Sequence, residues 1–171
     1  MSHAKDKYLE IYLNDHCAGA VAGVRLAKRL ARQNSGSRWA DDLRELAEEI
    51  ETDARILARL RKDLKISGGE IKRLIALLGM RVSSLKPNGQ LRGYSPLSRL
   101  LEAEALQSGV ISKQRLWAAL ADASRSDLEA YDFEELDRRA KRQQELLRDF
   151  HHDAARTALS YTSEPAPEER F

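Results

Sequence analysis

The chain contains a single cysteine among 171 residues. A disulfide within the chain and a zinc site built from several cysteines are therefore excluded. Proline is scarce at four residues and glycine at nine, which excludes collagen-like and low-complexity sequence. Aromatic residues make up only 6%, against 42% hydrophobic and 33% charged. That mix argues against a strand-rich sandwich and favours helix. No apolar run approaches the roughly 18–20 residues that span a bilayer. Met1 to Tyr8 lacks the apolar core of a secretory signal. The expectation is a reduced, cytoplasmic protein without membrane insertion.

What the chain has in quantity is helical patterning. Four long helices are predicted, over Lys5–Gln33, Arg38–Lys65, Ser95–Ala123 and Asp132–Tyr161. Asn34-Ser35-Gly36-Ser37 separates the first two, and Ser37 reads as the N-cap of the second. Ser95-Pro96 is a strong helix start, and Asp132 with Glu135 has the spacing of a capping box. The apolar phase of the third helix slips near Gly109, which predicts a kink or break there. A shorter amphipathic helix is predicted over Glu70–Ser84, carrying Ile71, Leu74, Ile75, Leu78 and Val82 on one stripe. It lies inside a long crossover, residues 66–95. Short loops make the first and last pairs of helices antiparallel, while the crossover lets the third run parallel to the second. The prediction is all-α: a single up-down-down-up four-helix-bundle domain over residues 1–161, followed by a tail over 162–171.

This chain resembles the ferritin-like superfamily, in particular small bacterial four-helix proteins. The resemblance rests on Tyr8-Leu9-Glu10-Ile11-Tyr12-Leu13-Asn14-Asp15-His16, on the acid-rich segment Leu43 to Asp53, and on the crossover length. It implies a ferritin-like fold and a stress-associated role. Ferritin-like metal centres use two Glu-x-x-His motifs. This sequence has none, and its nearest match is Asp149-x-x-His152.

Placing residues at about 100° per position puts polar groups among the apolar stripes. His16 falls within Leu9, Leu13, Ala20, Val24, Ala27 and Ala31. Asp53 interrupts Leu43, Leu46, Ile50, Leu57 and Leu64. Glu104 lies within Leu97, Leu100, Leu101 and Ala105. Gln143 lies on the Leu136, Leu147, Phe150 and Ala154 stripe, with His151 beside it. Counting back from the first loop sets His16 within about 3 Å of Asp53 along the bundle axis. Gln143 falls near that level, and Glu104 falls near His151. Three readings stay open. The groups satisfy one another, with His16 donating to Asp53 and Glu104 meeting His151 or an arginine. Alternatively His16, Glu49, Asp53, Glu104 and His151 hold iron, zinc or manganese, since imidazole with carboxylates suits those ions. The third reading is a small-molecule pocket. Cys17 reads as a packed, inert thiol. No residue set reads as catalytic.

Two further features stand out. Ala18-Gly19-Ala20-Val21-Ala22-Gly23 places two glycines inside a helix, at a cost of about 1 kcal/mol each relative to alanine. Small side chains there predict either close approach of a neighbouring helix or a homodimer seam bearing Ala18, Gly19 and Ala22. The formal charge of +2 hides an asymmetry: Arg55 to Arg99 holds eleven basic residues against two acids, a net of +9, so the remainder carries −7. Arg61, Lys62, Lys65, Lys72, Arg73, Arg81, Lys86 and Arg92 form a candidate basic patch for an anionic ligand or nucleic acid. The expected function class is a non-enzymatic structural or interaction protein. A metal-binding protein or oxidoreductase, and an anion or nucleic-acid binder, are the alternatives.

Overall fold

The computed structural model describes residues 2–67 and 94–160. They form four long helices, with no strand among the described residues: α1 (Ser2–Gln33), α2 (Ala40–Asp63), α3 (Pro96–Asp122) and α4 (Phe133–Leu159). A 3-10 turn, Ser126–Leu128, precedes α4. The predicted helix over Glu70–Ser84, most of the crossover and the tail over 162–171 lie outside the described residues.

The helix starts follow from local chemistry. Ser95 accepts a hydrogen bond from the Ser98 backbone N–H, with Pro96 in the first turn. Asp132 accepts from the Glu135 N–H at 2.9 Å. The start of α2 differs from the prediction. Trp39 takes the cap position without a side-chain bond to the helix. Ser37 instead accepts from the Trp39 N–H and donates to the Asn34 carbonyl, so it tightens the α1–α2 loop rather than capping the helix.

Helix directions can be read from contacts between ends. Lys28 pairs with Glu51, and Asn14 meets Arg61, so α1 and α2 are antiparallel. Gln114 donates to Asp137 while Glu104 meets His151, so α3 and α4 are antiparallel. Arg29, late in α1, pairs with Glu102, early in α3. Arg38 and Trp39 both bind Asp153 near the end of α4, and the Tyr131 hydroxyl donates to Asp63 at the end of α2. α1 is therefore antiparallel to α3, and α2 to α4, which leaves α2 and α3 parallel. Packing is most extensive within the α3–α4 and α1–α2 hairpins, then between α1 and α3.

The core is aliphatic, with Leu13, Leu30, Leu43, Leu60, Leu147, Trp117 and Phe150 almost fully enclosed. In α4 the buried positions run Phe133, Leu136, Ala140, Gln143, Leu147, Phe150 and Ala154, an unbroken three–four spacing. In α2 they run Leu43, Leu46, Ala47, Ile50, Asp53, Leu57 and Leu60. α3 continues without interruption through Gly109, so the predicted break does not occur. Its buried row is Leu100, Ala103, Leu106, Val110, Trp117 and Leu120, and Lys113 occupies the missing step. The sequence-based stripe through Leu101, Glu104 and Ala105 follows an adjacent row, and Glu104 and Ala105 are exposed. Among the described residues, no helix is long and apolar enough to cross a membrane.

Candidate functional site

Three helices each place one polar side chain on a core row at the same height. Asp53, on α2, is buried and accepts from Lys113 Nζ of α3 through Oδ2 at 2.5 Å. Its other oxygen, Oδ1, lies 2.9 Å from the Arg139 guanidinium of α4, an ion-pair contact rather than an aligned hydrogen bond. Gln143 completes the group. Its Oε1 accepts from Lys113, and its Nε2 donates to Glu49 at 2.9 Å and to Asp53 at 3.3 Å. Lys113 retains 16% side-chain exposure. Burial pushes its pKa down, the Asp53 charge and hydrogen bond oppose that shift, and Arg139 adds to it. Two carboxylates face two cations, so the cluster is neutral overall. A buried charge without a partner costs several kcal/mol, which explains why these four groups converge.

Beside the cluster, a cavity of about 270 Å³, open to the surface, lies between α1, α2 and α3. Its floor is Lys113, Asp53 and Trp117, its walls include Ile50, Leu57, Leu106 and Val110, and small residues fill the α1 and α3 sides. Gly19, Ala105, Gly109 and Ser112 are exposed and mark the mouth. Trp117 is fully buried, yet its indole Nε1–H has no hydrogen-bond partner among the described residues. His16 lines the same cavity, half-buried, edge-on to Tyr12 with ring centroids 4.6 Å apart. Burial lowers its pKa, with Asp15 opposing, so it is neutral near pH 7.

The small-residue run of α1 therefore has a different cause from the one its composition predicts. A Cβ built at Gly19, Gly23 or Gly109 meets nothing within 4 Å. No neighbouring helix presses on these glycines; they border open volume. Ala18 is buried within the chain's own bundle, so it cannot contribute to the predicted dimer seam. Each glycine keeps its helical cost without a packing gain. Gly19→Ala, Gly23→Ala and Gly109→Ala should each raise unfolding free energy by about 1 kcal/mol in urea titrations. A loss of stability at any of the three would show a close neighbour there.

The five residues proposed as metal ligands do not converge. Among the described residues, no group of three or more histidine, cysteine or acidic side chains could hold a metal ion. Asp53 meets two cations instead of His16, and Glu49 meets Gln143. Glu104 and His151 do pair, at 3.2 Å, but on the surface with Glu104 about half exposed. The buried acid on α3 is Glu102, which pairs with Arg29 at 2.9 Å and accepts from the Tyr94 hydroxyl. Burial raises its pKa and Arg29 opposes the shift. The cysteine is a free, buried thiol whose pKa burial raises. Of the basic segment, Lys62 and Lys65 are exposed and Arg61 is half-buried against Asn14. Lys72, Arg73, Arg81, Lys86 and Arg92 lie outside the described residues.

Sequence reasoning missed Lys113, Arg139, Glu102 and Trp117 as parts of the interior. For Lys113 a signal existed: it stands three residues after Val110 and four before Trp117, on their row. Comparison with family models, with curated proteins and with solved structures finds no match.

Proposed function

We propose that this chain is a non-enzymatic, ferritin-like bundle protein that takes up a small, mainly apolar molecule in the cavity between α1, α2 and α3. The observation that carries this reading is the cavity itself: about 270 Å³ of open volume beside an ionic cluster in which each charge faces an opposite one. Three helical glycines border it although larger side chains would fit. Supporting the ferritin-like part are the two antiparallel hairpins and the parallel α2 and α3, which need a long crossover. An engineered cavity of about 150 Å³ takes up benzene, so this volume suits a molecule of about eleven non-hydrogen atoms.

The reading is tested with two probes of that size, tetralin and 1-tetralone, by calorimetric titration of the full chain and of Gly109→Leu. Leucine at an exposed helical position favours the helix and obstructs the mouth. The expected result is saturable binding of at least one probe to the natural sequence and its loss in a folded Gly109→Leu. If neither probe binds, or if Gly109→Leu binds as well as the natural chain, the reading is wrong.

A further inference from the structure

The polar groups along the cavity carry the ligand's description one step further, resting on the reading of the cavity as a binding site. Five of its lining side chains bear a nitrogen or an oxygen: His16, Asp53, Ser112, Lys113 and Trp117. Four of them have little to offer an occupant. The Asp53 side chain has no exposed surface, and its carboxylate faces Lys113 and Arg139. Lys113 Nζ donates to Asp53 and to Gln143. The Trp117 indole nitrogen is sealed inside the core. Ser112 is exposed at the mouth, within reach of bulk solvent.

His16 is different. Its ring is half-buried and packs edge-on against Tyr12. No hydrogen bond engages either ring nitrogen among the described residues. The sealed and unpartnered polar atoms of the interior belong to other residues, so the imidazole nitrogens remain accessible. The ring is neutral near pH 7, with one N–H donor and one bare acceptor nitrogen.

The placement of His16 sets the ligand's shape. It stands opposite the end of α2, about two helical turns from Asp53. Leu26 lines the other end of the α1 wall, ten residues further along, which is roughly 15 Å on the axis. Between them α1 contributes only glycine and alanine to the lining. The cavity is thus an apolar trough with its free polar group at one end. A carboxylate does not suit that end. Asp15 already sets a negative charge beside His16, and an ion entering an apolar space loses its water. A hydroxyl does suit it, since it donates to the bare nitrogen and brings no charge.

We propose that the cavity takes elongated, neutral alcohols, with the apolar body along the glycine–alanine wall and the terminal hydroxyl hydrogen-bonded to the imidazole of His16.

The test is a matched series titrated into the full chain at pH 7.5 by calorimetry: butylbenzene, 4-phenylbutan-1-ol and 4-phenylbutanoate. One hydrogen bond contributes a net gain of about fivefold in affinity. 4-Phenylbutan-1-ol should therefore bind about five times more tightly than butylbenzene, and 4-phenylbutanoate should bind more weakly than the alcohol. His16→Phe keeps a flat ring against Tyr12 and removes both nitrogens. There the hydroxyl loses water without a replacement partner, so the order of alcohol and hydrocarbon should reverse while butylbenzene still binds. The ranking in the natural sequence stands even if that variant folds poorly. Butylbenzene binding as tightly as the alcohol, tighter binding of the carboxylate, or an alcohol preference that survives in folded His16→Phe would overturn the alcohol assignment while leaving the cavity as a binding site. Absence of binding by all three would overturn both.

Discussion

Asp53→Ala should destabilise the bundle by about 3–5 kcal/mol, the effect of removing one partner from a buried ion pair. The carboxylate is almost fully enclosed and faces both Lys113 and Arg139. Without it, two cations from α3 and α4 remain inside with only Glu49 and Gln143 nearby. That is a large share of the roughly 5–15 kcal/mol that holds a typical domain together. Urea denaturation followed by helical circular dichroism measures it directly. Asp53→Leu combined with Lys113→Met should cost clearly less than the sum of the two single changes, because the apolar pair leaves one cation fewer to compensate. A loss below about 1 kcal/mol for Asp53→Ala would mean that the cluster is solvated rather than buried.

Trp117→Ala should produce a loss of similar size, about 3–5 kcal/mol. The side chain is fully enclosed and stacks on Phe133, with centroids 6.2 Å apart and planes 28° from parallel. The cost of a truncation depends on how far the surroundings collapse into the gap. Trp117 borders the cavity, whose α1 side is largely glycine and alanine, residues with no long side chain to swing inward. The vacated space therefore adds to the cavity. Trp117→Phe, which retains an aromatic surface against Phe133, should lose much less. Equal losses for the two variants would show that the ring surface retained by phenylalanine does not carry the stabilisation.

The helices were legible in the sequence because their caps and turns are local. Ser95-Pro96 and Asp132 act as their types require. The inward polar residues of α2 and α4 were legible for the same reason: Asp53 and Gln143 sit on unambiguous three–four rows. α3 was harder. Two adjacent leucine-rich rows begin its first turns, and choosing the row through Leu101 brought Glu104 inward in place of Glu102. It also turned Lys113 toward solvent. His16 was set at the wrong height: the Asn14–Arg61 and Lys28–Glu51 contacts put it opposite the end of α2, about two helical turns from Asp53, although both line the same cavity. Its predicted partner was wrong, because a lysine from a helix more than forty residues further along reaches the acid first. The cavity could not be read at all. A run of glycine and alanine has the same composition whether a helix presses on it or nothing does. Only the surroundings of each absent Cβ separate the two cases.

The ionic cluster also has a consequence for the order in which the chain assembles. Its acids belong to the first hairpin, and its cations and glutamine belong to the second. Neither hairpin can neutralise its own inward charge. Each closes over a short loop and gathers its local contacts early, but each then presents an unpaired charge on its sticky face. The match is made only when the two halves dock in register. Sliding one half past the other by a helical turn of 5.4 Å would part both Asp53 ion pairs at once. The cluster thus works as a key between two preassembled halves, admitting one alignment among several that the aliphatic residues alone would tolerate.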